Sequence, residues 1–182
     1  MFDIEIANSQ DSLDVDESFL QNVAQRTLAE ERVTAAQISI ALVDHATIRE
    51  LNRTYLNHDE ETDVLSFLLE SEEQPDHRPA TSPRGAGKRL DGEVIISTDM
   101  AIRTAAKFHW SPHEEVVLYL VHGLLHLTGY DDRTDAEKQC MRSRERTILN
   151  LWGLKPIYDD TTAQKAVSDR SGPARRVSGG DS

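Results

Sequence analysis

Two histidines and an aspartate stand at spacings that suit a metal site. His122 and His126 are four positions apart, so on a helix their side chains differ by roughly 40° in direction and can share one ion. Gly129 follows them, and glycine accepts the left-handed conformation in which many helices end. The chain can then turn back and bring Asp132 to the same ion. Two nitrogen donors and one oxygen donor leave a coordination position open, as in catalytic zinc sites.

A single helical histidine is more often a core or surface residue than a ligand. Here the surrounding residues are apolar on nearly every side of the helix, which predicts that the helix is buried. They are Val116, Val117, Leu118, Leu120, Val121, Leu124, Leu125 and Leu127. Two buried imidazoles need partners for their ring nitrogens, and one metal ion satisfies both. We therefore expect the metal site to lie on a central apolar helix.

Either of two neighbouring aspartates could be the third ligand. An aspartate just before a helix usually caps it, but Thr134 and Glu137 form a capping box of their own. Asp132 is thereby free for the metal, and it fits the spacing better than Asp131 does.

The spacing also matches the extended H-E-x-x-H-x-x-G-x-x-H pattern of zinc peptidases except at its last residue. Such a peptidase needs a glutamate beside the first histidine, where this chain has Gly123.

Peptide hydrolysis at this site would need a general base from elsewhere in the chain. The carboxylates that could supply it are Glu114, Glu115 and Asp131. In a further alternative, the metal only stabilises the fold, which a fourth protein ligand would favour. The remaining histidines do not have convincing ligand spacing.

The rest of the sequence predicts the elements that carry these residues. Alternating apolar residues predict four strands, and apolar residues at helical spacing predict five helices. The strands are 2–6, 38–42, 64–69 and 91–97, and the helices are 19–28, 45–55, 98–108, 112–128 and 133–151. Asp44 caps the second helix, and Ser111, Pro112 and Glu114 start the fourth. This order indicates a single α+β domain in which helices cover a small mixed β-sheet.

Two segments show no apolar periodicity. Residues 70–89 contain three prolines and two glycines among charged residues, which predicts a long polar loop. Residues 156–182 are rich in serine, glycine, threonine and charged residues. We therefore expect a domain that spans 1–155 and a disordered C-terminal tail from 156 to 182.

The composition is that of a globular protein, with 182 residues of which 38% are hydrophobic. No signal peptide or membrane span is evident, and the single Cys140 has no disulfide partner, so we expect a cytoplasmic protein.

The net charge of −12 disfavours nonspecific binding to nucleic acid. The acidic excess lies in the first 80 residues, so a polyanion would approach the second part. Its basic residues, which could instead simply solvate a loop and a helix face, include Arg84, Lys88, Arg89, Arg133, Lys138, Arg142, Arg144 and Arg146.

The chain resembles the YbeY family of bacterial single-strand-specific endoribonucleases, which are metal-dependent rRNA maturation factors. The family signature is similar to H-G-x-L-H-L-x-G-Y-D-H, and this chain has H-G-L-L-H-L-T-G-Y-D-D from His122 to Asp132. A second block is similar as well, with E-L-N-R-T-Y at 50–55 followed by T-D-V-L-S-F at 62–67. The likeness extends from Ile38 to Leu151.

This resemblance implies cleavage of single-stranded RNA with one Zn²⁺ ion, held by His122, His126 and Asp132. It also implies late 16S rRNA 3′ processing and ribosome quality control, with rRNA, the small ribosomal subunit and ribosome-associated proteins as partners and no membrane. Most members have a third histidine where this chain has Asp132, and an arginine that helps to bind or cleave RNA where it has Leu56. Arg53 could take over that role. A non-catalytic ribosome-assembly factor with a structural metal is the alternative.

Overall fold

The computed structural model describes residues 1–57, 59, 61–73 and 83–158. These residues form a four-stranded sheet and five α-helices, as the sequence predicts. The strands are β1 (Phe2–Asn8), β2 (Ala35–Val43), β3 (Val64–Glu73) and β4 (Lys88–Ser97). The helices are α1 (Glu17–Glu30), α2 (His45–Leu51), α3 (Thr98–Phe108), α4 (Pro112–Thr128) and α5 (Asp135–Leu149). A π-helical turn, Asn52–Leu56, follows α2, and a 3-10 turn, Asn150–Trp152, follows α5.

The sheet is mixed, with the strand order β1-β2-β4-β3. β1, β2 and β4 are parallel, and β3 runs antiparallel to β4 at one edge of the sheet. In the centre, Ile38 of β2 lies opposite Ile4 of β1 and Gly92 of β4. The parallel connections pass through helices, and the antiparallel pair needs only a hairpin, so the α+β prediction is confirmed.

The polar segment 70–89 is shorter as a loop than predicted. β3 continues to Glu73 and β4 already begins at Lys88, so both ends of the segment are paired strands. Residues 74–82, in the middle of the predicted loop, lie outside the described residues. The added part of β3 escaped prediction because residues 70–72 are exposed, so no apolar alternation marks it.

Helix α4 lies close to the sheet because each of the two contributes a glycine that faces a side chain of the other. A Cβ atom at Gly123 of α4 would lie 2.6 Å from Cγ1 of Val94 on β4. One at Gly92 of β4 would lie 3.0 Å from Cδ1 of Leu127 on α4. Each glycine therefore receives a side chain from the opposite element, and α4 becomes the central buried helix that the sequence predicts.

The C-terminal segment remains in contact with the fold beyond the predicted boundary at 155. Tyr158 is partly buried and packs against the main hydrophobic core. Residues 156–158 of the predicted tail are thus part of the described structure, and residues 159–182 lie outside it. Within the described residues, no helix combines the length and the apolar character needed to cross a bilayer.

Candidate metal centre

Helix α4 presents both histidines on one face. Ser111 caps the helix, Pro112 occupies its first turn and Glu114 completes the capping box, as the sequence predicts. The two rings stand nearly perpendicular, with an angle of 83° and centroids 4.6 Å apart. Their Nε2 atoms are only 3.0 Å from each other. The i, i+4 spacing thus brings the two imidazoles to one point.

The turn after α4 holds the second histidine. Gly129 has a φ of 106°, the left-handed conformation predicted for this position. This turn brings the backbone carbonyl of Tyr130 to 3.1 Å from Nδ1 of His126. Outside the turn, Lys88 and Arg84 donate to the carbonyls of Thr128 and Gly129, at 3.0 and 2.8 Å. The end of the metal-site helix is therefore fixed from both sides.

Asp132 lies with the histidines, and Asp131 does not. The candidate ligand atoms of His122, His126 and Asp132 all lie within 4.8 Å of one another. Asp131 instead accepts a hydrogen bond from the backbone N–H of Asp132 and pairs with Arg133 at 3.4 Å. Thr134 caps α5, as predicted, which leaves the Asp132 carboxylate free of a capping role. The geometry favours Asp132 as the third ligand.

A buried glutamate on α5 holds the first histidine. The Oε1 atom of Glu145 lies 2.7 Å from Nδ1 of His122, and its Oε2 accepts a hydrogen bond of 2.6 Å from the Tyr158 hydroxyl. The sequence prediction missed both residues. For Glu145 a signal was present, since it occupies the apolar stripe of α5 between Met141 and Ile148, where a charged side chain needs a partner.

The hydrogen bonds of the two imidazoles fit a bound cation. A carboxylate and a carbonyl can only accept, so each Nδ1 atom carries the proton and each Nε2 atom presents a lone pair. Two lone pairs that face each other at 3.0 Å repel unless a positive charge lies between them. Tetrahedral zinc with bonds of about 2.05 Å to nitrogen would place the two atoms about 3.3 Å apart. The donor set therefore suits a divalent ion such as zinc.

The electrostatics of the pair agree with one shared positive charge. Burial works against protonation of His122. The hydrogen bond to Glu145 and the negative charges of Glu145, Asp63 and Asp132 outweigh it and raise the pKa of His122. Burial and the neighbouring His122 lower the pKa of His126. His122 thus takes up a proton more readily than His126 does, so the two rings do not become positively charged together.

Two open clefts meet at this site. One, of about 630 Å³, extends from His126 and Asp131 to the edge strand β3 and contains Leu56 in its wall. The other, of about 390 Å³, lies between α3, α4 and α5 and contains Glu115. Both are lined by His122 and Asp132. These two candidate ligands can therefore be reached from both clefts.

Comparison with known proteins places this site in a family. The family model described as endoribonuclease YbeY matches residues 5–153. The chain belongs to the YbeY family. An endoribonuclease YbeY from Salinibacter ruber is 38% identical over 147 residues, which are 81% of this chain and 90% of that protein. One from Moorella thermoacetica is 45% identical over 139 residues, 76% and 87% of the two chains. A solution structure from Thermotoga maritima, 20% identical, covers 97% of this chain and 100% of its own at a TM-score of 0.49.

The structure separates the two positions considered for the arginine of the YbeY family. Leu56, which replaces that arginine, lines the larger cleft and is 47% exposed. Arg53 instead pairs with Glu50 at 2.6 Å on the outside of the π-helical turn and lines neither cleft. The structure therefore does not bring Arg53 to His122, His126 and Asp132.

Most of the basic residues in the second part of this YbeY chain make internal contacts. Arg144 pairs with the fully buried Glu31, and Arg89 lies 3.7 Å from Glu72. Those that line the clefts are Arg133, Lys138 and Arg142. Among the described residues, the basic side chains that line the clefts therefore come from the turn after the motif and from α5.

Proposed function

We propose that this chain is a metal-dependent endoribonuclease that cuts single-stranded RNA. One Zn²⁺ ion is held by His122, His126 and Asp132, and the protein acts in the cytoplasm on rRNA, in late 16S 3′ processing and quality control of the small subunit. The observation that carries the proposal is the pair of Nε2 atoms at 3.0 Å, beside a carboxylate in an open cleft. Membership of a family whose relatives are named endoribonucleases supplies the substrate class.

The residues of the site divide the work of phosphodiester hydrolysis. When bound, zinc polarises a phosphoryl oxygen and lowers the pKa of coordinated water. Arg133 and Lys138 line the clefts and offer positive charge to the RNA backbone. Glu115 lines the same cleft as His122, and burial raises its pKa to about 7. A group that titrates near neutral pH can accept or deliver a proton during bond cleavage.

The peptidase alternative is weakened by Gly123 itself, which has no side chain to act as a general base. Because its Cβ would already lie 2.6 Å from Val94, a glutamate does not fit at this position without displacing α4 from the sheet. Of the substitute bases, Glu114 is occupied by the capping box. Glu115 and Asp131 line the clefts, so peptide hydrolysis needs an experimental test.

A purely structural metal would be surrounded by protein ligands. Within the described residues, no fourth histidine, cysteine or carboxylate joins the cluster of three. Asp132 is 43% exposed at its side chain, and the cluster opens to both clefts. This arrangement supports a catalytic site.

The decisive experiment incubates the zinc-loaded protein with single-stranded RNA, double-stranded RNA and an unfolded polypeptide. We expect cleavage of single-stranded RNA only, and its loss in His126→Ala. The matched control is His109→Asn, which replaces an exposed histidine in a left-handed conformation that asparagine tolerates. Proteolysis by the intact site would establish the peptidase instead, and absence of any cleavage would favour the assembly factor. A 16S precursor within purified small subunits then tests the rRNA substrate.

A further inference from the structure

The Glu145 carboxylate connects the metal site to the C-terminal segment. Its side chain is 2% exposed, and each of its oxygens has one partner among the hydrogen bonds described above. One oxygen contacts Nδ1 of His122 at 2.7 Å, and the other accepts the hydroxyl of Tyr158 at 2.6 Å. Both hydrogen bonds are short and end on carboxylate oxygens, which are strong acceptors.

Tyr158 is held in place by the same helix that carries Glu145. The guanidinium groups of Arg142 and Arg146 lie 4.5 and 4.8 Å from the centre of its ring. Cations over an aromatic face attract the ring and restrict its position. Because α5 holds the tyrosine ring, its hydroxyl is directed at the Glu145 carboxylate.

This tyrosine lies beyond the residues that the family model matches. The family model ends at residue 153, five positions before Tyr158. The motif residues of α4 therefore do not contain everything that orients their first histidine. His126 needs no such help, because the carbonyl of Tyr130 in the adjoining turn holds its ring.

We propose that Tyr158 and Glu145 are positioning residues for the metal site, acting in series on His122. The tyrosine hydroxyl fixes the carboxylate, and the carboxylate fixes the imidazole so that its Nε2 atom faces that of His126. Without the hydroxyl, one oxygen of a buried carboxylate lacks its donor, and the carboxylate turns toward another partner. The inference rests on the metal site of the proposed function, but does not depend on RNA as the substrate.

The test measures zinc affinity of the full-length protein by competition with a chromophoric chelator. Glu145→Gln should weaken zinc binding about 100-fold and Tyr158→Phe about tenfold, the range found for outer partners of ligating histidines. The matched control is Tyr55→Phe, which removes a hydroxyl from a tyrosine that is 68% exposed and lines neither cleft. It should bind zinc as the wild type does.

The double variant Tyr158→Phe with Glu145→Gln separates action in series from independent effects. If the tyrosine acts through the glutamate, the double variant binds zinc about as weakly as Glu145→Gln alone, and not another tenfold weaker. The absorption spectrum of the Co²⁺-loaded protein should change in Tyr158→Phe and stay unchanged in Tyr55→Phe. Thermal unfolding of the metal-free variants checks that each one folds.

Two results would overturn the inference: equal zinc affinities for Tyr158→Phe and Tyr55→Phe, or full multiplication of the two losses in the double variant. If Glu145→Gln does not fold, the comparison of the two tyrosine variants decides alone. Zinc binding that depends on Tyr158 without RNA cleavage would reject the proposed substrate and keep this inference. RNA cleavage with zinc binding that is insensitive to Tyr158 would do the reverse.

Discussion

Replacement of Gly123 by alanine tests how tightly the metal-site helix is packed. The new Cβ atom would lie 2.6 Å from Cγ1 of Val94 and 3.3 Å from Cγ2 of Val64. Carbon atoms prefer separations of about 3.5–4.0 Å, so the first contact is short by about 1 Å. Overpacking of this kind costs about 1–3 kcal/mol, and the helix preference of alanine over glycine returns about 1 kcal/mol. Gly123→Ala should therefore lower the free energy of unfolding by up to about 2 kcal/mol.

The sign of this effect should reverse when Val94 is made smaller. Val94→Ala alone removes two buried methyl groups and leaves a cavity, for a loss of about 2–3 kcal/mol. In that background the Cβ of Ala at 123 has room, so the helix preference dominates. Gly123→Ala should then raise the free energy of unfolding by about 1 kcal/mol. The two substitutions are thus coupled by about 1–3 kcal/mol.

Urea unfolding of the four proteins, followed by circular dichroism in the presence of EDTA, measures this coupling without the contribution of a metal. The reasoning is refuted if Gly123→Ala is equally favourable in both backgrounds. In that case α4 can move away from β4 at little cost. The claim that close packing keeps larger side chains out of position 123 would then be lost.

Three further predictions follow from charges in and around the site. Asp132→His removes a negative charge from the ligand set, so the loaded site is more electrophilic and the pH–rate profile of RNA cleavage should move to lower pH; an unchanged profile would contradict this. Glu31→Gln leaves the guanidinium of Arg144 without its buried partner and should cost about 3–5 kcal/mol in urea unfolding, whereas Glu30→Gln removes only an exposed ion pair and should cost about 0.5 kcal/mol. Burial raises the pKa of Glu115 to about 7, so the folded protein holds this proton longer than the unfolded chain and loses stability as the pH rises from 4.5 to 7; melting temperatures across this range should fall less in Glu115→Gln, and parallel curves would count against the shift.

The sequence predicted the parts of the site that depend on local signals. The start of α4 follows from Ser111 and Pro112, and its end follows from Gly129, because caps and left-handed glycines act within a few residues. The capping residue Thr134 likewise identified Asp132 as the aspartate left over for a metal. These signals need no knowledge of which elements meet in space.

The rest of the site depends on tertiary contacts that have no local signature. Glu145 reaches His122 only because α5 packs against α4, and Tyr158 joins them from beyond the last helix. Arg53 was a reasonable substitute by sequence distance. The π-helical turn, however, places it beside Glu50 and turns Leu56 toward the cleft. A π-helical turn contains about one residue more than an α-helical turn, which changes the side chain that faces the cleft. The 3.6-residue period of an α-helix does not predict this change.

The two histidines are oriented by different kinds of partner, and this gives them unequal tolerance to mutation. His126 is held by a main-chain carbonyl, which is present whatever side chain position 130 carries, provided that the glycine turn is kept. His122 is held by one side chain, so a single codon change at Glu145 removes its support. Among variants that still fold, substitutions at position 130, a buried core residue, should therefore keep zinc more often than substitutions at position 145. Random substitutions would therefore disturb the orientation of His122, through loss of Glu145, more often than that of His126.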